Sequence, residues 1–177
     1  KWPKDTSLQR SLAMALGNAA NLHYELAEID ESESLTIEAI VIFKTLQVGN
    51  TTDSVLAINM ANALNLAGLI KYEQGQVDQA AADFQQGIRQ FDQLLTTDSE
   101  NPDYLQSRAA LLISLALTMR SRGDTGAEAR AYRLALESYE LLVAVLPDIP
   151  IYSEALAITL VDLGQLEFQV DDLASAT

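Results

Sequence analysis

Apolar residues recur along this chain at steps of three and four, the spacing that lines one face of an α-helix. One set falls at Ala13, Leu16, Ala20 and Tyr24, and a second at Ala39, Ile40, Phe43 and Leu46. No alternation of period two competes with them, so no strand is predicted. The pattern then repeats. Shifted by 48 residues without a gap, the sequence aligns Ala13, Ala61, Ala109 and Ala157 in one column and Leu16, Leu64, Leu112 and Leu160 in another. A third column holds only small residues, Ala20, Gly68, Ala116 and Gly164. At this Ala and Leu content chance would supply on the order of 0.05 four-way identical columns, so the two found establish the period. Where three copies are complete, Ala39, Gly87 and Ala135 align, as do Phe43, Phe91 and Tyr139 and then Leu46, Leu94 and Leu142.

Between the two apolar sets of a copy stand Gln74-Gly75-Gln76 and Arg122-Gly123-Asp124, where a glycine can take the left-handed conformation that ends a helix. Between copies stand Asp98 to Asp103 and Pro147 to Pro150, whose prolines cannot continue a helix but start one well. Each unit is therefore a helical hairpin. First helices are predicted at about 7–28, 53–74, 102–122 and 151–169, and second helices at about 33–48, 77–96 and 125–146. A stub of a fourth second helix is expected near 171. Asp103 with Gln106 has the spacing of a capping-box variant. The small column would let helix backbones approach, with the aromatics at 43, 91 and 139 lying across the gap.

The run Ala67-Gly68-Leu69-Ile70-Lys71-Tyr72-Glu73-Gln74-Gly75-Gln76-Val77-Asp78-Gln79-Ala80, followed by Phe84 and Gly87-Ile88, resembles the tetratricopeptide repeat pattern. It has that family's small pair, turn glycine, alanine early in the second helix, aromatic four later and small residue three after that. The third unit repeats it with Leu115-Ala116, Gly123-Asp124, Tyr132 and Ala135-Leu136, but Glu128 stands where the family has alanine. In the first unit Ala27, Ser32 and Thr36 replace the turn glycine, the alanine and the aromatic. The family period is about 34 residues, so each unit here carries about two extra turns per helix. Long units with a Pro-Asp-x-Pro-x-Tyr joint, here Pro147 to Tyr152, are similar to repeat regions attached to large bacterial serine/threonine protein kinases and related signalling proteins.

The resemblance implies an all-α, right-handed superhelical solenoid of stacked antiparallel hairpins, about seven helices plus the stub. It also implies one repeat domain over 1–177, with units at about 5–52, 53–100, 101–148 and 149–177. Its concave wall would be built from first helices and would hold a peptide or partner segment. Carried over position by position, the groove residues are Met14, Gly17, Asn21, Tyr24 and Glu25, then Asn62, Asn65, Leu69, Tyr72 and Glu73. The third unit supplies Ala110, Ile113, Leu117, Arg120 and Ser121, and the fourth Ile158, Val161, Gln165, Phe168 and Gln169. Asparagine amides can both donate to and accept from a peptide backbone, and tyrosines add rigid area with a polar tip. Tyr24, Tyr72 and Phe168 share a column and would equally fill a hairpin interface. The clamp of basic residues with which some family members grip an acidic C-terminus is not expected, because Gly17, Ala110 and Ser114 occupy its positions.

Charge narrows the partners. With 25 acidic and 11 basic residues the 177-residue chain carries a formal charge of -14, which argues against nucleic acid and anionic membranes. Neutral or basic protein segments are the expected ligands. Without cysteine there is no disulfide, thiolate metal site or cysteine nucleophile. The lone His23 comes with no GxSxG elbow or HExxH helix, so no enzyme, cofactor or metal is expected. The acidic run Glu28, Asp30, Glu31 and Glu33 lacks the glycine and spacing of a calcium loop and is expected to be a solvated interhelical loop. Gly123-Asp124-Thr125-Gly126 is expected to be a turn, and the basic island Arg120, Arg122, Arg130 and Arg133 to pair with neighbouring acids. No apolar run reaches the roughly 20 residues of a membrane span. The polar start Lys1 to Asp5 carries no leader pattern, and a cytoplasmic protein is expected. Leu156, Leu160, Leu163 and Leu166 lie at seam spacing with little beyond them, so this end is expected either to pair in a homodimer or to continue into further repeats. The functional expectation is a non-catalytic interaction module, with a structural spacer or dimerisation array as the alternative.

Overall fold

The computed structural model describes residues 5–48 and 53–175. The polar start Lys1 to Lys4 and the last residues, Ala176 and Thr177, lie outside them. Among the described residues there are seven α-helices and no strand: α1 Thr6–Glu25, α2 Ile29–Gln47, α3 Ser54–Glu73, α4 Val77–Leu95, α5 Pro102–Arg122, α6 Thr125–Val145 and α7 Pro150–Ser175. The all-α expectation holds. The chain forms two compact units, Lys1–Gln90 and Phe91–Thr177. In the first, α1 packs on α2 and both meet α3; in the second, α6 lies between α5 and α7.

The 48-residue period governs the helix ends as well as the core. Asp5, Asp53 and Asn101 occupy one column, and each caps a first helix through its side chain. Asp5 accepts from the Ser7 and Leu8 amides at 2.8 and 3.2 Å, Asp53 from Leu56 at 3.1 Å, and Asn101 from Asp103 and Tyr104 at 3.1 and 3.2 Å. Such a cap satisfies amides that have no partner inside the helix and contributes about 1 kcal/mol. The cap of α5 is thus Asn101 and not the expected Asp103–Gln106 pair; Gln106 accepts instead from the Tyr152 hydroxyl at 3.2 Å. The Leu56 amide bond, more than the ion pair with Arg10, holds the Asp53 carboxyl below its ordinary pKa.

At the other end, the first helices of three copies close in the same way. The amides of Glu28, Gln76 and Asp124 bond back to the carbonyls of His23, Lys71 and Met119 at 2.9, 2.8 and 3.0 Å. One residue earlier, Ala27, Gly75 and Gly123 bond to Tyr24, Tyr72 and Arg120. This is the Schellman arrangement, and it requires a left-handed residue, with φ of 59° at Ala27, 75° at Gly75 and 76° at Gly123. The fourth position of that column is Asp171, and there α7 runs straight on to Ser175. The separate stub expected near 171 is therefore part of α7. No glycine stands at the turn position, which Asp171 occupies.

The acidic run is also placed differently from expectation. Asp30 and Glu31 form the first turn of α2, Glu33 follows, and Glu28 precedes it. Negative side chains at a helix N-terminus are favoured by its unpaired amides and dipole.

Small residues set the packing. Ala13, Ala61 and Ala109 are fully buried, as are Ala20 and Ala116, and Leu64 and Leu112 are 1 % exposed. Each such leucine contributes about 1.5–3 kcal/mol on burial. Gly68 lies beneath the ring of Phe84, where an added Cβ would come within 2.6 Å of it. The aromatic over the small column is thus residue 84 rather than the expected 91. Phe43 and Phe91 are core residues, and Tyr139 is half-buried. On α7 the same columns are open: Ala157 and Gly164 are exposed and Leu160 is 51 % exposed, while Leu163 and Leu166 of the expected seam are buried. One helix among the described residues, α3, is long and apolar enough to cross a membrane by composition, and 56 % of that window is buried in the protein.

Two substitutions test this architecture. Ala27→Gly relieves the left-handed strain of a Cβ, partly offset by a freer unfolded chain, and should raise stability by about 0.5–1 kcal/mol in urea denaturation. Gly68→Ala should lower it by about 1–2 kcal/mol through overlap with Phe84, and the loss should shrink in a Phe84→Leu background.

Candidate functional site

Each first helix presents one narrow face from positions separated by three, seven, ten and eleven residues, which fall within about a quarter of the helix circumference. In the first unit, Asn21 and Glu25 of α1 are exposed, and Tyr24 between them is half-buried. The Asn21 amide donates to the Gly17 carbonyl of its own helix at 3.0 Å. On α3, Asn62, Tyr72 and Glu73 are exposed, while Asn65 and Leu69 are half-buried. The two faces are tied together where the Tyr24 hydroxyl donates to the Glu73 carboxylate. Burial first, and then that carboxylate, push the Tyr24 pKa up to about 12. The buried Oδ1 of Asn65 accepts no hydrogen bond, a deficit that ordinarily costs about 1–3 kcal/mol.

The second unit gathers its groove residues more tightly. Ile113 of α5 is half-buried, Leu117 is 40 % exposed, and Arg120, one turn on, is exposed. From α7, Gln165 and Gln169 reach the same place. A pocket of about 270 Å³ is lined by Arg120, by Thr125 and Glu128 of α6, and by Asp162, Gln165 and Gln169. Its floor is an uncommon group for an interior, the Glu128 carboxylate, only 1 % exposed. Arg120 accounts for its tolerance there: Nε donates to Glu128 Oε1 at 2.7 Å and Nη2 to the Tyr132 hydroxyl at 2.9 Å. The guanidinium also lies 5.8 Å from the centre of the buried Tyr132 ring. The Glu128 bond raises the Arg120 pKa, and burial raises that of Tyr132.

Three residues of the sequence-derived groove, Arg120, Gln165 and Gln169, therefore meet in one pocket, and Asn21, Tyr24, Glu25, Asn62, Tyr72 and Glu73 share the open faces of α1 and α3. Sequence reasoning did not assign Glu128 or Asp162 to the site. The signal for Glu128 was present, as the acid that replaces the family alanine at the start of a second helix. For Asp162 there was none. Elsewhere, Arg133 pairs with Glu167 at 2.6 Å, so two members of the basic island have acidic partners as expected. His23 is half-buried with Nδ1 2.5 Å from Glu28. A smaller cavity of about 220 Å³ opens in the first unit over Ile37, Ile40 and Val41 of α2 and Ile70 of α3. Among the described residues no group of three or more His, Asp or Glu is placed to hold a metal ion.

No protein-family model matches the sequence, and neither does any curated protein. Among solved structures the chain is similar to BtubC (BKLC) from P. vanneervenii, with a TM-score of 0.57 at 14 % identity over 97 % of this chain and 68 % of that one. At that identity the likeness is one of fold, a helical, repeat-like, all-α architecture.

The Tyr24–Glu73 bond is open to titration. A tyrosine pKa raised on folding favours the neutral phenol, so its contribution to stability is intact below pH 10 and declines as the pH climbs toward 12. Absorbance at 295 nm should show several late-titrating tyrosines, Tyr132 and Tyr139 among them; Tyr24→Phe should remove one of these titrations, and Glu73→Gln should bring that one part of the way back toward 10, burial holding the remainder.

Proposed function

We propose that this chain is a tetratricopeptide-like, non-catalytic interaction module that binds a peptide or partner segment along the faces of its first helices. The observation that carries this reading is the exposure of Asn21 and Glu25 on one face of α1 and of Asn62, Tyr72 and Glu73 on the same face of α3, together with the convergence of Arg120, Gln165 and Gln169 on a polar pocket. Amides with spare hydrogen-bonding capacity suit an extended backbone, which carries a donor and an acceptor at nearly every residue. The Schellman turn at each complete hairpin and the Gly68–Phe84 contact support the family assignment, since both fall on positions of its pattern. The long units and the Pro147–Tyr152 joint support membership of a larger bacterial signalling protein acting in the cytoplasm.

One observation favours a second function. Ala157, Leu160 and Gly164 are exposed on α7 although their counterparts in earlier copies are mostly buried, and Ile158, Val161 and Phe168 beside them are 56 %, 56 % and 74 % exposed. A face of this kind suits an array that only spaces or pairs its neighbours.

Random peptides displayed on phage and selected against the chain separate the two. Binding to the wall predicts enriched sequences whose affinity falls at least tenfold, about 1.4 kcal/mol, when Asn62, Asn65 and Tyr72 are all changed to alanine. Enriched peptides that bind the triple variant unchanged, or no enrichment at all, would leave the spacer function standing.

A further inference from the structure

The pocket between α5, α6 and α7 has a charge arrangement that the peptide-binding reading, on which this inference rests, does not require. Its carboxylates outnumber its guanidinium. Glu128 uses Oε1 to accept from Arg120, and Oε2 takes no hydrogen bond from the described residues although the side chain lines the pocket. Asp162 stands near enough for its charge to act on both Arg120 and Tyr132, yet it accepts no hydrogen bond either. Two acceptor sets thus converge on a cavity of about 270 Å³, one of them on a carboxylate 98 % removed from solvent. Gln165 and Gln169 add neutral amides at the rim.

The alternative occupant, an anion recruited by Arg120, fits less well. The guanidinium already spends Nε and Nη2 on Glu128 and Tyr132. An incoming carboxylate or phosphate would also meet Asp162 and the second Glu128 oxygen, both of like charge, within a protein of net charge -14. A cationic donor meets the opposite balance. The three N–H bonds of an ammonium match acceptors spread over two carboxylates and a side-chain amide.

We propose that this pocket selects a basic side chain of the bound peptide: an ammonium or guanidinium group held between Asp162 and Glu128 Oε2, with Gln165 and Gln169 meeting the adjoining peptide backbone. Arg120 acts as a positioning residue, holding Glu128 by its Oε1 and leaving Oε2 to the cavity. The first unit has no equivalent, because the columns of Arg120 and Glu128 hold Tyr24 and Ser32 in one copy and Tyr72 and Ala80 in the other.

The test uses the full chain and three capped pentapeptides, alanine throughout except for a central lysine, norleucine or glutamate. Binding is followed in proton–nitrogen correlation spectra through the Arg120 Nε–H and the side-chain amides of Gln165 and Gln169. The lysine peptide should shift these signals saturably and bind at least tenfold more tightly than the norleucine peptide, with the glutamate peptide weaker still. Asp162→Asn, a change at a residue without a hydrogen-bonded protein partner, should abolish that preference while leaving the remaining spectrum in place. Glu128→Gln should act in the same direction, and if it unfolds the chain the Asp162→Asn result decides. Equal saturable binding of the lysine and norleucine peptides would overturn the cation preference and leave the peptide-binding function intact. Preference for the glutamate peptide would overturn its sign, and no shift with any of the three would overturn both.

Discussion

A single left-handed residue at the end of α1, α3 and α5 lets the chain turn back there. Ala27, Gly75 and Gly123 hold φ between 59° and 76°, and the amide after each reaches five residues back to close the helix end. Everything else in a hairpin follows from that reversal, because only a chain that folds back at that point can lay its second helix against the buried alanines and leucines of the first. At the fourth position of the column stands Asp171, and α7 continues through it to Ser175. Alanine at 27 can be forced into the left-handed region because α2 packs against α1 and rewards the turn.

Given the turn, the distance between the helices of a hairpin is set by two residues acting together. At Gly68 the absence of a side chain admits the Phe84 ring almost onto the backbone. In the third copy Ala116 and Tyr132 are both fully buried, and the Tyr132 hydroxyl accepts from Arg120. In the first copy, where Thr36 stands in the column of Phe84 and Tyr132 and Ser32 in that of Ala80 and Glu128, hydrogen bonds take over: the Ser32 hydroxyl donates to the Ala20 carbonyl at 2.8 Å and that of Thr36 to the Ser32 carbonyl at 2.7 Å. One backbone plan thus accommodates three interiors, each satisfying the same positions by different chemistry.

The candidate sites grow from that freedom. Columns that carry packing are restricted to alanine, glycine and leucine, whereas the face of each first helix varies from copy to copy. Tyr24 answers to Glu73, and its counterpart Arg120 answers to Glu128. The second arrangement places a carboxylate in the interior, which is stable only with its guanidinium beside it and therefore fixes where the cavity's charge must lie.

The sequence alone determined what depends on period. The 48-residue repeat, the all-α class, seven helices with bounds near those observed and the residues on each first-helix face were all legible, because they are consequences of local spacing and of glycine and proline chemistry. The capping column Asp5, Asp53 and Asn101 is also written in the repeat, two residues ahead of the capping-box spacing at Asp103 and Gln106. Tertiary structure decided what depends on which side chains meet across helices. Phe84 rather than Phe91 lies over Gly68, Glu128 is carried into the interior where Arg120 can reach it, and Asp162 stands beside them from a helix 34 residues further on. Periodicity specifies the face on which a residue sits. Only the packed hairpin, through the reach of particular side chains and the charge they leave uncompensated, specifies what that face can hold.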